Sequence, residues 1–219
     1  MASHSNGQSK ATVLETFISE FYIVQKVQVV NDVVEVLKEL KPDEKNDAAY
    51  KRLKNEHDIY TIRLKGGNDR IVRMSRVNMY KHEHYDQQAY RLEMEFVGPT
   101  LEERLNDKRQ PALEDSEKKK IILEIAEGLQ YIHSKRVVHA DINTSNILLR
   151  GNKYDVKIKG FGFSRIKTSS SAKDSDVCNL GMVIEKMYQD KTQMPPLIKK
   201  CYDMCQKSES AGNLVRAFK

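Results

Sequence analysis

The sequence predicts an α+β chain in two parts: a small antiparallel sheet carrying one helix, then a reduced helical part. Three observations carry this. Residues 12–40 are rich in β-branched and aromatic side chains, and similar runs return at Ile71–Met79 and Ala89–Val97. A single helical stretch, Ala48–Leu64, interrupts those runs. Beyond Gly98 and Pro99 the apolar residues change to helical spacing.

In order along the chain, Met1–Lys10 is rich in Ser, His and Asn, and residues 1–12 are expected to be a disordered N-terminus. Phe17–Val24 and Val27–Leu37 read as two or three strands. Pro42–Asp47 is a polar break. In the helix Ala48–Leu64, Leu53, Ile59 and Tyr60 form the buried side, and Gly66 and Gly67 stop it. The strands Ile71–Met79 and Ala89–Val97 flank a polar hairpin loop, His82–Gln88. Residues 13–97 form the first lobe and 98–219 the second. The second lobe opens with a short helix, Leu101–Leu105. A long helix follows, Ser116–Ser134, with Ile122, Ile125, Leu129 and Ile132 on one face. Val137–Arg150 holds two short apolar runs around a polar loop, and Val156–Phe163 is a strand and turn. Thr168–Lys173 is a Ser-rich mobile loop. Val177–Tyr188 and Leu197–Cys205 are helices, and Leu197–Phe218 holds the last of them. There are no internal repeats.

The 219 residues are 39% hydrophobic and 31% charged, a polar globular composition. No run approaches the roughly 20 apolar residues that span a bilayer. The N-terminus has no apolar core of a secretory signal, so an intracellular setting, cytoplasmic or nuclear, is expected. Cys178, Cys201 and Cys205 are an odd set without a paired framework, which suggests reduced thiols. Cys201 and Cys205 lack a matching His/Cys pair, so core packing is the better reading than zinc. The net charge of +6 comes from lysines scattered among acids. With no basic stripe interleaved with aromatics, nucleic-acid binding is a minor option, to be recognised by steep salt dependence.

The segment Val138-His139-Ala140-Asp141-Ile142-Asn143-Thr144-Ser145-Asn146-Ile147-Leu148-Leu149 carries an Asp and an Asn five apart between aliphatic runs. It resembles the catalytic loop of protein kinases, H-R-D-x-x-x-x-N. The resemblance implies that Asp141 accepts the substrate hydroxyl proton and that Asn146 holds a magnesium ion. His139 matches the family's structural His. Two departures stand out: Ala140 replaces the Arg that grips a phosphorylated activation loop, and Asn143 replaces the Lys that assists the transferring phosphate. After the aliphatic strand Val156–Ile158 comes Gly160-Phe161-Gly162 in the place of D-F-G. Gly160 therefore replaces the principal magnesium ligand. Asp155 is too early in the strand to stand in for it.

Other parts of the resemblance follow the family's order. Leu53–Ile59 looks like the kinase C-helix, with Glu56 at the helix glutamate. Val33–Leu37 matches V-A-I-K, which puts Glu35 at the lysine position. Two facing glutamates would repel, and only a shifted register would let Lys38 supply the cation. No glycine occurs between Gly7 and Gly66, so the phosphate-covering loop is absent. Glu93–Gly98 resembles the hinge, where Glu95 and Val97 would meet an adenine. Leu101–Leu105 looks like the helix after it. Ser175–Gly181 resembles S-D-V-W-S-L-G, and Asp176 would hold the catalytic-loop backbone. Gly160 and Asp176 are too close for a full activation loop and A-P-E motif.

His139, Phe161, Gly162 and Asp176 are structural residues of the motif. Asp141 can be a loop hydrogen-bonding residue and Asn146 a turn cap. Glu56 can be a solvated or locally paired helix acid. Ser169–Ser171 is a flexible loop before it is a phosphosite. Met182, Met187 and Met204 are core. His82, Glu83 and His84 form a polar hairpin before a metal site.

The resemblance, from residue 15 to 218, implies a two-lobed kinase-like fold. With so many parts missing, it implies a pseudokinase that binds, scaffolds or regulates, with an active kinase or signalling protein as partner. No metal or cofactor is expected beyond weak, metal-independent ATP binding. The alternative is an atypical minimal serine/threonine kinase or ATPase. Its support is Asp141 and Asn146, and a likeness of His139–Asn146 to H-G-D-L-T-T-S-N in the small kinase-like subunit of the KEOPS complex. That family keeps the D-F-G Asp, and its helix does not read S-D-V-x-x-L-G.

Overall fold

The computed structural model describes residues 11–29, 33–42, 45–85, 88–166 and 175–219. Of the N-terminus expected to be disordered, residues 1–12, the first ten lie outside the described residues, as does the Ser-rich loop with Ser169–Ser171, and Thr12 already belongs to a strand. The chain divides into two compact units. One is the chain up to Lys54 together with Met74–Phe96; the other is Asn55–Arg73 with Val97–Lys219. The lobe division expected only near Gly98 is therefore crossed twice more, at Lys54/Asn55 and Arg73/Met74.

The first unit is a five-stranded antiparallel sheet in the order β1-β2-β3-β5-β4. Its strands are β1 (Thr12–Ile18), β2 (Tyr22–Gln28), β3 (Val34–Leu40), β4 (Met74–Lys81) and β5 (Gln88–Glu95). The expected strand Phe17–Val24 is instead a hairpin bend. Ser19 reverses the chain, its hydroxyl accepting from the Tyr22 N–H at 3.0 Å. The expected strand Ile71–Met79 also starts late, at Met74. Ile71 belongs to the second unit, where it bridges Ile158.

Helix α1 (Asp47–Asp58) continues as a π-turn, Ile59–Arg63. Leu53, Glu56 and Tyr60 recur at i, i+3 and i+7 and are all buried. Its first turns cover one face of the sheet, where the Tyr22 hydroxyl donates to the Ala49 carbonyl at 3.1 Å. Tyr50 stacks on Tyr85, with ring centroids 4.7 Å apart. The hairpin after β4 is not simply polar. His82 is buried and its Nε2 meets the Lys41 carbonyl at 2.8 Å.

The second unit is built on α3 (Asp115–Ser134), a 20-residue helix. The apolar stripe predicted for it is buried completely: Ile122, Ile125, Leu129 and Ile132. Gly128 lets strand β8 (Asp155–Ile158) approach, because a Cβ there would lie 2.7 Å from Ile158 Cδ1. Buried Glu124 fastens the same contact, accepting from the Val156 N–H at 2.7 Å and pairing with Arg70 at 2.8 Å. Strand β8 pairs with β7 (Ile147–Arg150), and β6 (Val137–Val138) pairs with β9 (Arg165–Ile166).

Helix α2 (Leu101–Asn106) starts at a capping box between Thr100 and Glu103. Helices α4 (Ser175–Tyr188), α5 (Pro196–Gln206) and α6 (Ala211–Ala217) complete the unit. Cys201 and Cys205 are buried in α5, where burial pushes their thiols up to about 11 and about 12. Met187 is core, but Met182 is 56% exposed. It falls on the face of α4 opposite Leu180, Val183, Ile184 and Met187.

Candidate functional site

The site grows from one turn of backbone between β6 and β7. His139 is fully buried, and both ring nitrogens are committed. Its Nδ1 accepts from the Asp141 N–H at 3.2 Å, which leaves Nε2–H to donate to the Lys159 carbonyl at 2.9 Å. That pattern requires the neutral ring, and burial accordingly holds its pKa below the usual histidine value. Ala140 turns the chain through φ +65°. Asp176, at the start of α4, stabilises the turn from beneath. Its carboxylate accepts from the N–H of His139 (2.8 Å) and of Ala140 (2.7 Å), and from His133 Nε2 (2.9 Å). Burial alone would raise the Asp176 pKa, but these three donors outweigh it and hold it below the ordinary aspartate range.

Asp141 lies at the centre of a closed polar ring. Asn143 donates from Nδ2 to Asp141 Oδ1 at 2.9 Å, and Asn146 donates from Nδ2 to Asp141 Oδ2 and to its carbonyl, both at 2.8 Å. The Asn143 side-chain oxygen in turn accepts from the N–H of Ser145 (2.9 Å) and of Asn146 (3.1 Å), capping the 3₁₀ turn Thr144–Asn146. Both Asp141 carboxylate oxygens are thus engaged by carboxamides. The residue that replaces a lysine, Asn143, has become part of the loop's own bracing.

Gly160 follows β8 in the left-handed region, at φ +89°. A Cβ there would lie 2.6 Å from Asn146 Oδ1 and 2.8 Å from its Cγ. The Asn146 carboxamide occupies the volume that a side chain at 160 would need. Phe161 and Gly162 continue as a 3₁₀ turn, Phe161–Phe163. The buried Phe161 ring lies between two others in an aromatic column, 5.1 Å from Tyr60 and 4.7 Å from His139. Ser164 closes the turn by donating its hydroxyl to the His139 carbonyl at 3.1 Å.

The structure gathers His139, Asp141, Asn146, Gly160, Phe161, Gly162 and Asp176 into this one cluster. Glu56 lies in the second unit too and is only 2% exposed, so of its two structural readings, solvated or locally paired helix acid, the first does not hold. The reason is its i+3 position from Leu53 on the inward face of α1. Glu35 does not face α1 either. It pairs with Glu95 across β3 and β5, on the sheet face away from the helix. Lys38 has the opposite parity and lies on the helix-bearing face, its Nζ 4.7 Å above the Tyr22 ring. Glu35 is therefore not on the face that α1 covers, whereas Lys38 is. Glu95 ends β5, and Val97 follows at the start of the second unit's long segment.

The described loop lacks a side chain at the position that the resemblance gives to the principal magnesium ligand. Gly160 offers no side-chain oxygen, and Asn146, the other residue given to the metal, turns its Nδ2 to Asp141. Among the described residues no group of three or more His, Cys, Asp and Glu is arranged to hold a metal. His82, Glu83 and His84 form no such group. Asp155 is committed elsewhere, to Lys120 Nζ at 2.7 Å.

One site residue was not anticipated. Asn55, directly before Glu56, donates from Nδ2 to the carbonyls of Ser164 (2.8 Å), Gly162 (3.0 Å) and Phe161 (3.4 Å). No local pattern in the sequence marks it, because all three partners lie more than 100 residues away.

Comparison with known proteins agrees with this geometry. The protein kinase domain family matches residues 8–196, so the chain belongs to that family. It is similar to a calmodulin-binding receptor-like cytoplasmic kinase of Arabidopsis thaliana, 33% identical over 118 residues, or 52% of this chain and 23% of that protein. It is also similar to a probable serine/threonine-protein kinase of Dictyostelium discoideum, 39% identical over 59 residues, 27% of this chain and 14% of that one. A third relative, a probable inactive leucine-rich repeat receptor-like protein kinase of Arabidopsis thaliana, is 53% identical over 60 residues, 26% of this chain and 9% of that protein. The chain thus spans less than a quarter of the length of each of these relatives. Among the described residues no helix is long and apolar enough to cross a membrane.

Proposed function

We propose that this chain is a pseudokinase: a protein kinase fold that acts by binding, as a scaffold or allosteric regulator of another kinase or signalling protein. The observation that supports it most is Gly160. The position of the principal magnesium ligand has no side chain, and the Asn146 carboxamide packs where one would go. Three further features agree. Asn143 has exchanged a cation for a brace of the loop, Asp141 is held by two carboxamides, and no glycine-rich loop precedes β2. In phosphoryl transfer, catalysis is almost entirely positioning and charge stabilisation, so loss of the metal anchor removes most of it.

Asp141, Asn146 and Lys38 on the helix-bearing face favour a second reading, an atypical minimal serine/threonine kinase. One titration separates the two. The purified chain is heated with ATP, with and without magnesium, and phosphate transfer to a generic protein substrate is followed in parallel. A ligand at 100 times its Kd stabilises by about 2.7 kcal/mol, a readable rise in Tm. The pseudokinase reading expects no magnesium-dependent rise and no transfer. A magnesium-dependent rise with transfer makes the second reading the correct one. A partner is then sought by affinity capture with an intact kinase as bait, and salt-insensitive capture argues against nucleic acid.

A further inference from the structure

We propose that Asn55 is the positioning residue that latches the G-F-G turn in a single state, without help from any charged modification. The inference goes beyond the reading above and holds whether or not the chain transfers phosphate. Three observations carry it, all within the second unit. First, one carboxamide serves three carbonyls of the same turn, Phe161, Gly162 and Ser164, between 2.8 and 3.4 Å. The first two carbonyls belong to the 3₁₀ turn and the third to its C-cap, Ser164, and Asn55 brings the two hydrogens of its Nδ2 to them from a distant stretch of chain. Second, the turn is fixed from its other side as well. His139 donates to the Lys159 carbonyl, Ser164 donates to the His139 carbonyl, and Phe161 packs between Tyr60 and His139. Asn55 and Tyr60 therefore grip one side of the turn, and the catalytic loop grips the other.

Third, the loop has no cation with which to respond to a phosphate here. Ala140 stands at the position that the family resemblance gives to the phosphate-gripping Arg. A turn that is set by neutral hydrogen bonds needs no such switch. Its state is fixed when the chain folds. A chain that presents one surface constitutively is suited to acting by binding.

The test is local amide hydrogen exchange on the full chain, wild type against Asn55→Ala. Loss of the latch raises exchange across Phe161–Ile166 by about tenfold, the size expected for losing about one net hydrogen bond to a local opening. Helices α5 and α6 stay unchanged. Asn55→Asp, which removes the donor and sets a charge against the carbonyls, raises it further. Equal exchange in wild type and Asn55→Ala overturns the proposal. So does a uniform rise throughout the second unit, because it would make Asn55 a general stabiliser only. Should the variants fail to fold, the unaltered chain answers. Side-chain amide protons of Asn55 that exchange slowly in an asparagine-labelled spectrum support the latch, and protons that exchange at the free rate refute it.

Discussion

Substituting Gly160 by alanine tests whether the loop has been rebuilt around a missing side chain. At φ +89° an L-residue costs about 1–2 kcal/mol in backbone strain. The added Cβ would be 2.6 Å from Asn146 Oδ1, so the carboxamide must swing away. It then gives up its bonds to the Asp141 carbonyl and carboxylate, both 2.8 Å. A hydrogen bond to a charged acceptor contributes about 1.5–3 kcal/mol and one to a neutral carbonyl about 0.5–1.5 kcal/mol, so Gly160→Ala should destabilise by about 3–6.5 kcal/mol in all. Asn146→Ala alone loses the same bonds and should cost about 2–4.5 kcal/mol. In the double variant the clashing atoms are gone, and only the backbone strain adds to the lost bonds. The two substitutions should therefore fall short of additivity by about 2–4.5 kcal/mol. Urea unfolding followed by far-UV circular dichroism measures all four corners of the cycle, and the chain has no tryptophan to use instead. Additivity within about 0.5 kcal/mol would refute the claim that Asn146 fills the space of residue 160.

Three other predictions rest on the same cluster. Gly160→Asp restores the acid but not the room for it, so it should gain no magnesium-dependent thermal shift with ATP; a clear gain would show that Asn146 yields easily. Asp176→Asn exchanges an acceptor of three hydrogen bonds for a group with one oxygen and should cost about 3–5 kcal/mol, read from the urea midpoint; a loss below about 1 kcal/mol would mean the buried donors find other partners. Stability should also fall with pH in two stages. His139 has a depressed pKa when folded, so its contribution is whole above the unfolded value near 6.5 and shrinks as pH falls from there toward the folded value. Asp176 is likewise depressed, so its contribution is whole above about 3.8 and is lost below it. A urea midpoint that stays flat from pH 8 to pH 5 would contradict the buried neutral His139.

By itself the sequence determined the order and kind of the elements and the identity of the loop. The apolar stripe of α3 needs only a 3.6-residue period to be legible, and the sheet-then-helix order needs only composition. The catalytic-loop and G-F-G residues are adjacent in sequence or nearly so, and the chemistry demands their spacing. That made His139, Asp141, Asn146 and Gly160 readable without coordinates. The register of β3 was not readable. One residue of slip exchanges the two faces of a strand, and the Val33–Leu37 alignment chose Glu35, whereas pairing with β2 and β5 turns Lys38 toward the helix. Only tertiary structure decided that Glu56 is buried, that Asn146 fills the space beside Gly160, and that Asn55 serves a turn more than 100 residues away. These are contacts between segments distant in the chain. Local preference sets how each segment folds, but which side chains meet is fixed only when the segments pack and their buried polar groups must find partners.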